Sequence, residues 1–399
     1  MSLPPTVSRK KLSGDKLPVL GSHTVTADKV LSFIMPGVRF GARVSGTSRV
    51  DAKIDTGGNY FLISLHNISQ DKVKEYDLNF SSSSSHHGVG HLHWICLARN
   101  LDPQHTYDIR VYKKTEPKIK SIFSRFHPCR VKELRLTRYS QTQPAEDPIF
   151  HPMSSADFFC PQGGYIEVIG DSDVCGFGVD GEISSPMNVL TMDGSTQDCM
   201  KAWGSWLAKE LGFNNNFVCT GWSGKGIVRN APMCGDKTLP DVWYSHIPSR
   251  DLPVSQQCVA ILAGGNDFYD KNFPPRDEFV SKYLEFIFLI RKVRGNHVPI
   301  YLFQSGPNCC SSCGSPSVHP KDDPWAVESS QILNEYMNHL MTSVKDQNVF
   351  YHQINLSLDL NSDYAIMMHW SESGHRKIAK SMAEFIRSNK LGVLTDNNS

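Results

Sequence analysis

The segment Tyr165-Ile-Glu-Val-Ile-Gly-Asp-Ser-Asp-Val-Cys-Gly-Phe-Gly-Val-Asp-Gly181 begins with a run of aromatic and β-branched residues, Tyr165 to Ile169, between glycine-rich flanks. Such a run predicts a short strand buried in an α/β sheet. It stops abruptly at Gly170-Asp171-Ser172. A serine at the carboxyl end of a strand of this type lies in the crevice where open α/β sheets bind their ligands. Ser, Asp and Gly are also ordinary turn and cap residues, so Asp171-Ser172 needs partners elsewhere before it means more.

Downstream of Tyr165 the sequence alternates between strand and helix patterns. Asp198 to Leu211 has helical spacing and stops at Gly212, and Phe217-Val-Cys-Thr reads as a strand before Gly221-Trp-Ser-Gly-Lys-Gly226. Cys258-Val-Ala-Ile-Leu-Ala is an apolar strand that ends in Gly264-Gly265-Asn266-Asp267. Asp277 to Val293 predicts an amphipathic helix, Pro299-Ile-Tyr-Leu-Phe-Gln a strand, and Ala326 to Val344 a helix. Val349 to Ile354 is a further strand, and Ser373 to Leu391 a closing helix. This alternation predicts a mostly parallel sheet covered on both faces.

Upstream the texture is β. Short runs at Arg39, Val50, Tyr60, Leu92, Tyr107 and Val131 are separated by turns, with no helical pattern between them, as in a sandwich or jelly roll. The polar, proline-containing Ser140–Pro148 reads as a linker. The expected organisation is therefore a flexible leader over 1–22, a β-jelly-roll accessory domain over 23–145, and an α/β domain over 146–399. Two domains also suit 399 residues.

Basic and acidic residues balance at 41 and 40, for a net charge of +1, so no strong field points to nucleic acid or an anionic membrane. No run of about eighteen apolar residues predicts a membrane span. The N-terminus shows no apolar secretory core, and eleven cysteines leave one over in any disulfide framework. We expect reduced cysteines and a cytoplasmic protein. Cys309, Cys310 and Cys313 are close enough to suggest zinc, but no second Cys/His pair stands at finger-like spacing, and a loop with incidental thiols is the simpler reading. His86, His87, His91 and His93 likewise read as a polar loop entering a strand. Neither cluster gives reason to expect a metal.

Acyl transfer by a serine needs a base, oxyanion donors and something to orient the base. The strand ends offer Ser172 as nucleophile, a glycine N–H in Gly221–Gly226 as one donor, and the Asn266 amide as another. His369, in His369-Trp-Ser-Glu-Ser-Gly-His375, is the candidate base. Two other motifs fail on context. Gly176-Phe-Gly178-Val-Asp-Gly181 matches G-x-G-x-x-G, but it lies six residues beyond its strand and opens no helix, so it does not read as a dinucleotide site. The G-x-S-x-G elbow fails at Ser223, where Lys225 replaces the second glycine.

The ordered blocks Gly170-Asp171-Ser172, Ser223-Gly224-Lys-Gly226, Gly264-Gly265-Asn266-Asp267 and a C-terminal His369 resemble the SGNH (GDSL) hydrolase superfamily. With the preceding β region, the pattern is most similar to the family-two carbohydrate esterases, which join a jelly roll to a flavodoxin-like SGNH domain. The resemblance implies a metal- and cofactor-independent esterase that removes O-acetyl groups from carbohydrate, with water as second acyl acceptor. Ser172 would be the nucleophile and His369 the base, with Ser172, Gly224 and Asn266 forming the oxyanion hole. The superfamily usually carries an aspartate three residues before the histidine, and here that position is Ile366. Asp363, Glu372 or a backbone carbonyl would then orient His369. A glycan-binding protein on an esterase scaffold and a lipid or thioester hydrolase are the alternative readings.

Overall fold

The computed structural model describes residues 6–78, 90–117, 127–140, 146–161, 163–183, 194–232, 234–247, 256–269, 273–307 and 319–389. It divides into two units, one ending at Gly163 and the other starting at Gly164.

Two antiparallel sheets make up the first unit. One has the order β3 (Thr24–Val25), β4 (Leu31–Phe33), β11 (Cys129–Ser140), β6 (Arg49–Asp55), β9 (His93–Arg99), with β1 (Thr6–Ser13) also on β11. The other has the order β12 (Ile149–His151), β5 (Arg39–Ser45), β10 (Thr106–Lys113), β7 (Phe61–Asn67), β8 (Lys72–Leu78), with β2 (Val19–Leu20) on β5. Buried apolar residues recur at every second position, as in Val50, Ala52 and Ile54 of β6, with the buried, paired Asp51 between them. That is the two-residue period of a half-buried strand.

Two expectations are corrected here. The expected leader is not a loose tail: Thr6–Ser13 pairs with β11 along its whole length, placing Lys10 opposite Leu136 and Leu12 opposite Leu134. Its charged run Arg9-Lys10-Lys11 hides the alternation that a strand needs. The expected boundary at 145 also moves, to Gly163. Ile149–His151 pairs with β5, and the short helix α1 (Ser155–Phe159) sets Phe158 against Gly41, where an added Cβ would approach that ring to 2.7 Å. Three residues of strand carry too little pattern to be seen from sequence. Of the clusters considered for metal, Cys309, Cys310, Cys313, His86 and His87 lie outside the described residues. His91 and His93 meet edge to face at 6.3 Å.

In the second unit a five-stranded parallel sheet has the order β14 (Phe217–Gly221), β13 (Tyr165–Gly170), β15 (Gln256–Leu262), β16 (Ile300–Ser305), β17 (Val349–Ile354). The direction of winding reverses between β13 and β15, which makes the carboxyl ends of those two strands the crevice of the sheet. Helices α2 (Ser172–Cys175), α3 (Trp203–Glu210), α4 (Leu239–Ser245), α5 (Arg276–Arg294), α6 (Pro324–Ser343) and α7 (Glu372–Ser388) follow the strands. Helix α5 forms because Phe279, Tyr283, Phe286, Ile287 and Ile290 recur on one face and are buried. Asp277 and Glu278 in its first turn and Arg291, Lys292 and Arg294 in its last suit the helix dipole. Ile169 joins that face's core with Val259, Ile261 and Phe279. On the opposite face Val168 lies so close to Gly204 of α3 that a Cβ there would come within 2.8 Å.

All six residues of β13 are buried, Glu167 among them. Its carboxylate accepts from Trp243 Nε1 (2.8 Å), Gln256 Nε2 (2.8 Å) and the Arg294 guanidinium (2.8 and 3.1 Å). The charge is tolerated in the core only because every oxygen is occupied. Arg294→Met should therefore cost about 3–5 kcal/mol in urea unfolding by stranding Glu167. A loss under about 1 kcal/mol would show that the pair carries no such role.

Candidate active site

Strand β13 ends in Gly170, and the chain turns at once into the short helix α2, so Ser172 stands at the crevice with its side chain partly exposed. Asp171 does cap that helix, accepting from Asp173 N at 3.3 Å. The cap reading holds, and it leaves Ser172 at the crevice. Ser172 Oγ lies 2.8 Å from His369 Nε2, although 197 positions separate them.

His369 Nδ1 lies 3.2 Å from the Ile366 carbonyl oxygen. That contact fixes the tautomer: Nδ1–H donates to the carbonyl, and Nε2 keeps its lone pair for the serine hydroxyl. The carbonyl is aimed by unusual backbone. Met367 and Met368 both have left-handed φ values, 54° and 61°, a conformation that costs non-glycine residues about 1–2 kcal/mol each. The turn is held by Ala365 N–H donating to His369 O (2.7 Å) and by a β-bridge between Tyr364 and Trp370.

The two acids proposed as orienters are occupied elsewhere. Asp363 is buried and accepts from Asp359 N (2.7 Å), Lys377 Nζ (2.6 Å) and Ser373 Oγ (2.8 Å). Burial opposes its ionisation, but Lys377 and those hydrogen bonds outweigh it and hold the carboxyl below its ordinary range. It ties its loop to the start of α7. Glu372 pairs with Arg376 at 2.8 Å, one turn along α7. The nearby His375 is a core residue, driven down to about 3 by burial and by His369, with Nδ1 accepting from Trp203 N.

Gly224 and Asn266 come to the same crevice. Gly224 has a φ of +74°, and a Cβ there would fall 2.1 Å from Cys234 Sγ, so the position requires glycine. Asn266 Nδ2 donates to Asp171 Oδ2 at 2.8 Å and to the Lys225 carbonyl at 3.1 Å. Asp267, fully buried, joins the two motifs: its carboxylate accepts the backbone N–H groups of Ile227, Val228 and Arg229 at 2.6–2.9 Å. Sequence reasoning missed Asp267, although its place beside Asn266 in the motif was in view.

No protein-family model and no curated protein matches the chain. Solved structures do. A family two carbohydrate esterase from Cellvibrio japonicus superposes with a TM-score of 0.68 at 18% identity, over 96% of this chain and 98% of that one. One from Clostridium thermocellum, in complex with cellohexaose, gives 0.64 at 17% identity over 96% and 100%. An acetyl xylan esterase from Butyrivibrio proteoclasticus gives 0.62 at 16% identity over 98% and 100%. The chain has the fold of the family two carbohydrate esterases.

Within this esterase fold the glycine triplet acquires a role. Gly178 (φ +69°) and Gly181 form the seat of Ile366: a Cβ on Gly178 would come within 2.9 Å of Ile366 Cβ, and one on Gly181 within 2.0 Å of Ile366 Cδ1. A loop that resembled a nucleotide cradle instead makes room for the residue whose carbonyl holds His369. Gly181→Val should displace Ile366 and lower kcat for a simple ester about tenfold, since small misplacements in a site are costly. Adding Ile366→Ala should recover most of the loss, and a double variant no better than the single one would refute this coupling.

Asp171 is pushed up to about 7, chiefly by burial and then by Asp173. A folded-state value above the unfolded one means that the folded protein holds the proton longer. The stabilisation is full below about pH 4 and is lost as pH rises toward 7. Melting temperatures of Asp171→Asn relative to the unsubstituted protein should therefore rise from pH 4.5 to 8. A flat difference would contradict the shift.

Proposed function

We propose that this protein is a serine esterase that removes acyl groups from carbohydrate hydroxyls through an acyl-enzyme on Ser172, O-acetyl esters being the simplest substrates. The observation that carries the reading is the 2.8 Å contact of Ser172 Oγ with His369 Nε2, at the point where the sheet reverses its winding. Ser172 attacks the ester carbonyl while His369 Nε2 takes its proton. The resulting imidazolium is stabilised through Nδ1–H by the Ile366 carbonyl, so the pair works as a dyad. His369 then returns the proton to the departing sugar oxygen and activates the water that releases the acid.

The backbone N–H groups of Ser172 and Gly224 and the Asn266 amide are the donors for the oxyanion. Asn266 directs its Nδ2 hydrogens at Asp171 and Lys225, and the longer of the two bonds, to Lys225, is the one exchanged for substrate. Such a donor is typically worth about 2.7–4 kcal/mol. Support for a carbohydrate as the alcohol comes from the shared fold and from the cellohexaose bound by one neighbour at 17% identity. The jelly-roll reading of the first unit and the flavodoxin-like reading of the second, together forming one esterase, are part of this proposal.

A second reading, sugar binding without turnover, is favoured by that inward commitment of the Asn266 amide. A neighbouring carbohydrate esterase at 18% identity displays divergent catalytic and non-catalytic binding functions.

Kinetics on an aryl acetate separate these readings. Ser172→Ala and His369→Ala should each lose at least about 10³-fold in kcat, while Asp363→Asn and Glu372→Gln stay within about tenfold in kcat. Activity retained without Ser172 would refute the esterase. A silent wild-type protein that binds an oligosaccharide by calorimetry would establish the second reading.

A further inference from the structure

We infer that the Ser172 crevice carries an acyl-binding arm and that the preferred esters are longer than acetyl, in the butyryl to hexanoyl range. This rests on the esterase reading above. The cavity at Ser172 and His369 holds about 300 Å³, the size at which ligand sites for whole small molecules begin. Both halves of an ester share that volume, and beyond its carbonyl an acetyl group supplies only a single methyl.

The walls decide what can. From Ser172 the cavity extends past the end of β15 to β16 and α6, where Leu262, Phe268, Phe303, Ala326 and Leu333 line it. These side chains are 0–6% exposed, so they are set in the core and present fixed apolar surface. Of the polar residues that line the same stretch, Gln304, Ser329 and Ser330 make hydrogen bonds within the protein, and Ser305 is partly exposed. Gln304 Nε2 donates to the Ser330 carbonyl (2.7 Å) and its Oε1 accepts from Tyr351 Oη (2.7 Å). Ser330 Oγ accepts from Gln304 (3.3 Å), and Ser329 Oγ donates to the Ala326 carbonyl (3.2 Å).

An ester whose carbonyl sits at Ser172 sends one half toward this arm and the other toward solvent. A sugar in the arm would give up hydrogen bonds to water and find few in return, which is costly. An alkyl chain gains from the same walls, by about 0.8 kcal/mol per buried methylene, close to fourfold in rate constant. The acyl half therefore takes the arm and the sugar stays outside.

The test uses methyl glucopyranoside esterified at O6 with acetate, butyrate or hexanoate, so that only the acyl group varies. We expect kcat/KM to rise on the order of tenfold from acetate to butyrate, corresponding to two methylenes at that constant, and not to fall at hexanoate. Ala326→Leu, which fills the α6 end of the cavity, should lower the hexanoate value relative to acetate at least tenfold. Acetate preferred over butyrate, or Ala326→Leu lowering all three esters equally, would overturn the arm while leaving the esterase intact. If no ester is hydrolysed in a Ser172-dependent way, the esterase reading fails and the arm with it.

Discussion

A histidine can take a proton from a serine only if its ring is held in one tautomer and one orientation, and here a backbone carbonyl does the holding. The Ile366 oxygen accepts from His369 Nδ1, which leaves Nε2 free to accept at Ser172 Oγ, 2.8 Å away. A carbonyl dipole in this place gives less stabilisation to an imidazolium than a carboxylate would, but it carries no charge to desolvate. Its orientation is set by backbone geometry rather than by a side-chain rotamer. Two consecutive left-handed residues, Met367 and Met368, provide that geometry, and the Gly178–Gly181 loop provides room for Ile366. Strain of this kind persists only where surrounding structure over-determines it.

The remainder of the site is tied together by polar links between loops that follow different strands. Asn266, after β15, donates to Asp171, after β13, and to the carbonyl of Lys225, after β14. Asp267 gathers three backbone N–H groups of the Lys225 loop on one buried carboxylate. Each link crosses at the point where the sheet reverses its winding, so Asn266 and the loops that carry Ser172 and Gly224, the proposed oxyanion donors and nucleophile, are fixed relative to one another. Fixing them in advance is what makes such donors effective, because no reorganisation is then needed as charge develops.

Much of this was legible from residues alone where the signal is local. Strands such as Cys258–Leu262 and the helix around Phe279 to Ile290 announce themselves by period, and Ser172, Gly224, Asn266 and His369 stand in short blocks at strand ends. What escaped reading was non-local or written in the backbone. Thr6–Ser13 is a strand only because β11 accepts it in register, and its lysines and arginine conceal that. Ile149–His151 belongs to the first unit because β5 pairs with it, whereas the linker-like composition before it suggested a boundary. The support behind His369 stayed open among Asp363, Glu372 and a backbone carbonyl because a carbonyl leaves no mark in sequence: the residue standing where an aspartate is usual serves through its carbonyl, which every residue possesses. Asp363 was the natural alternative on chemistry, yet Lys377 and Ser373 already hold it.

The central claim is that Ser172 is activated by His369 without a carboxylate. It is tested most directly by timing the reaction of the protein with an alkyl fluorophosphonate and locating the adduct by peptide mass spectrometry. The account predicts one adduct, on Ser172, formed at nearly the same rate in Asp363→Asn and at least about a hundredfold more slowly in His369→Ala. An adduct on another residue, or labelling of Ser172 that is indifferent to His369, would contradict it.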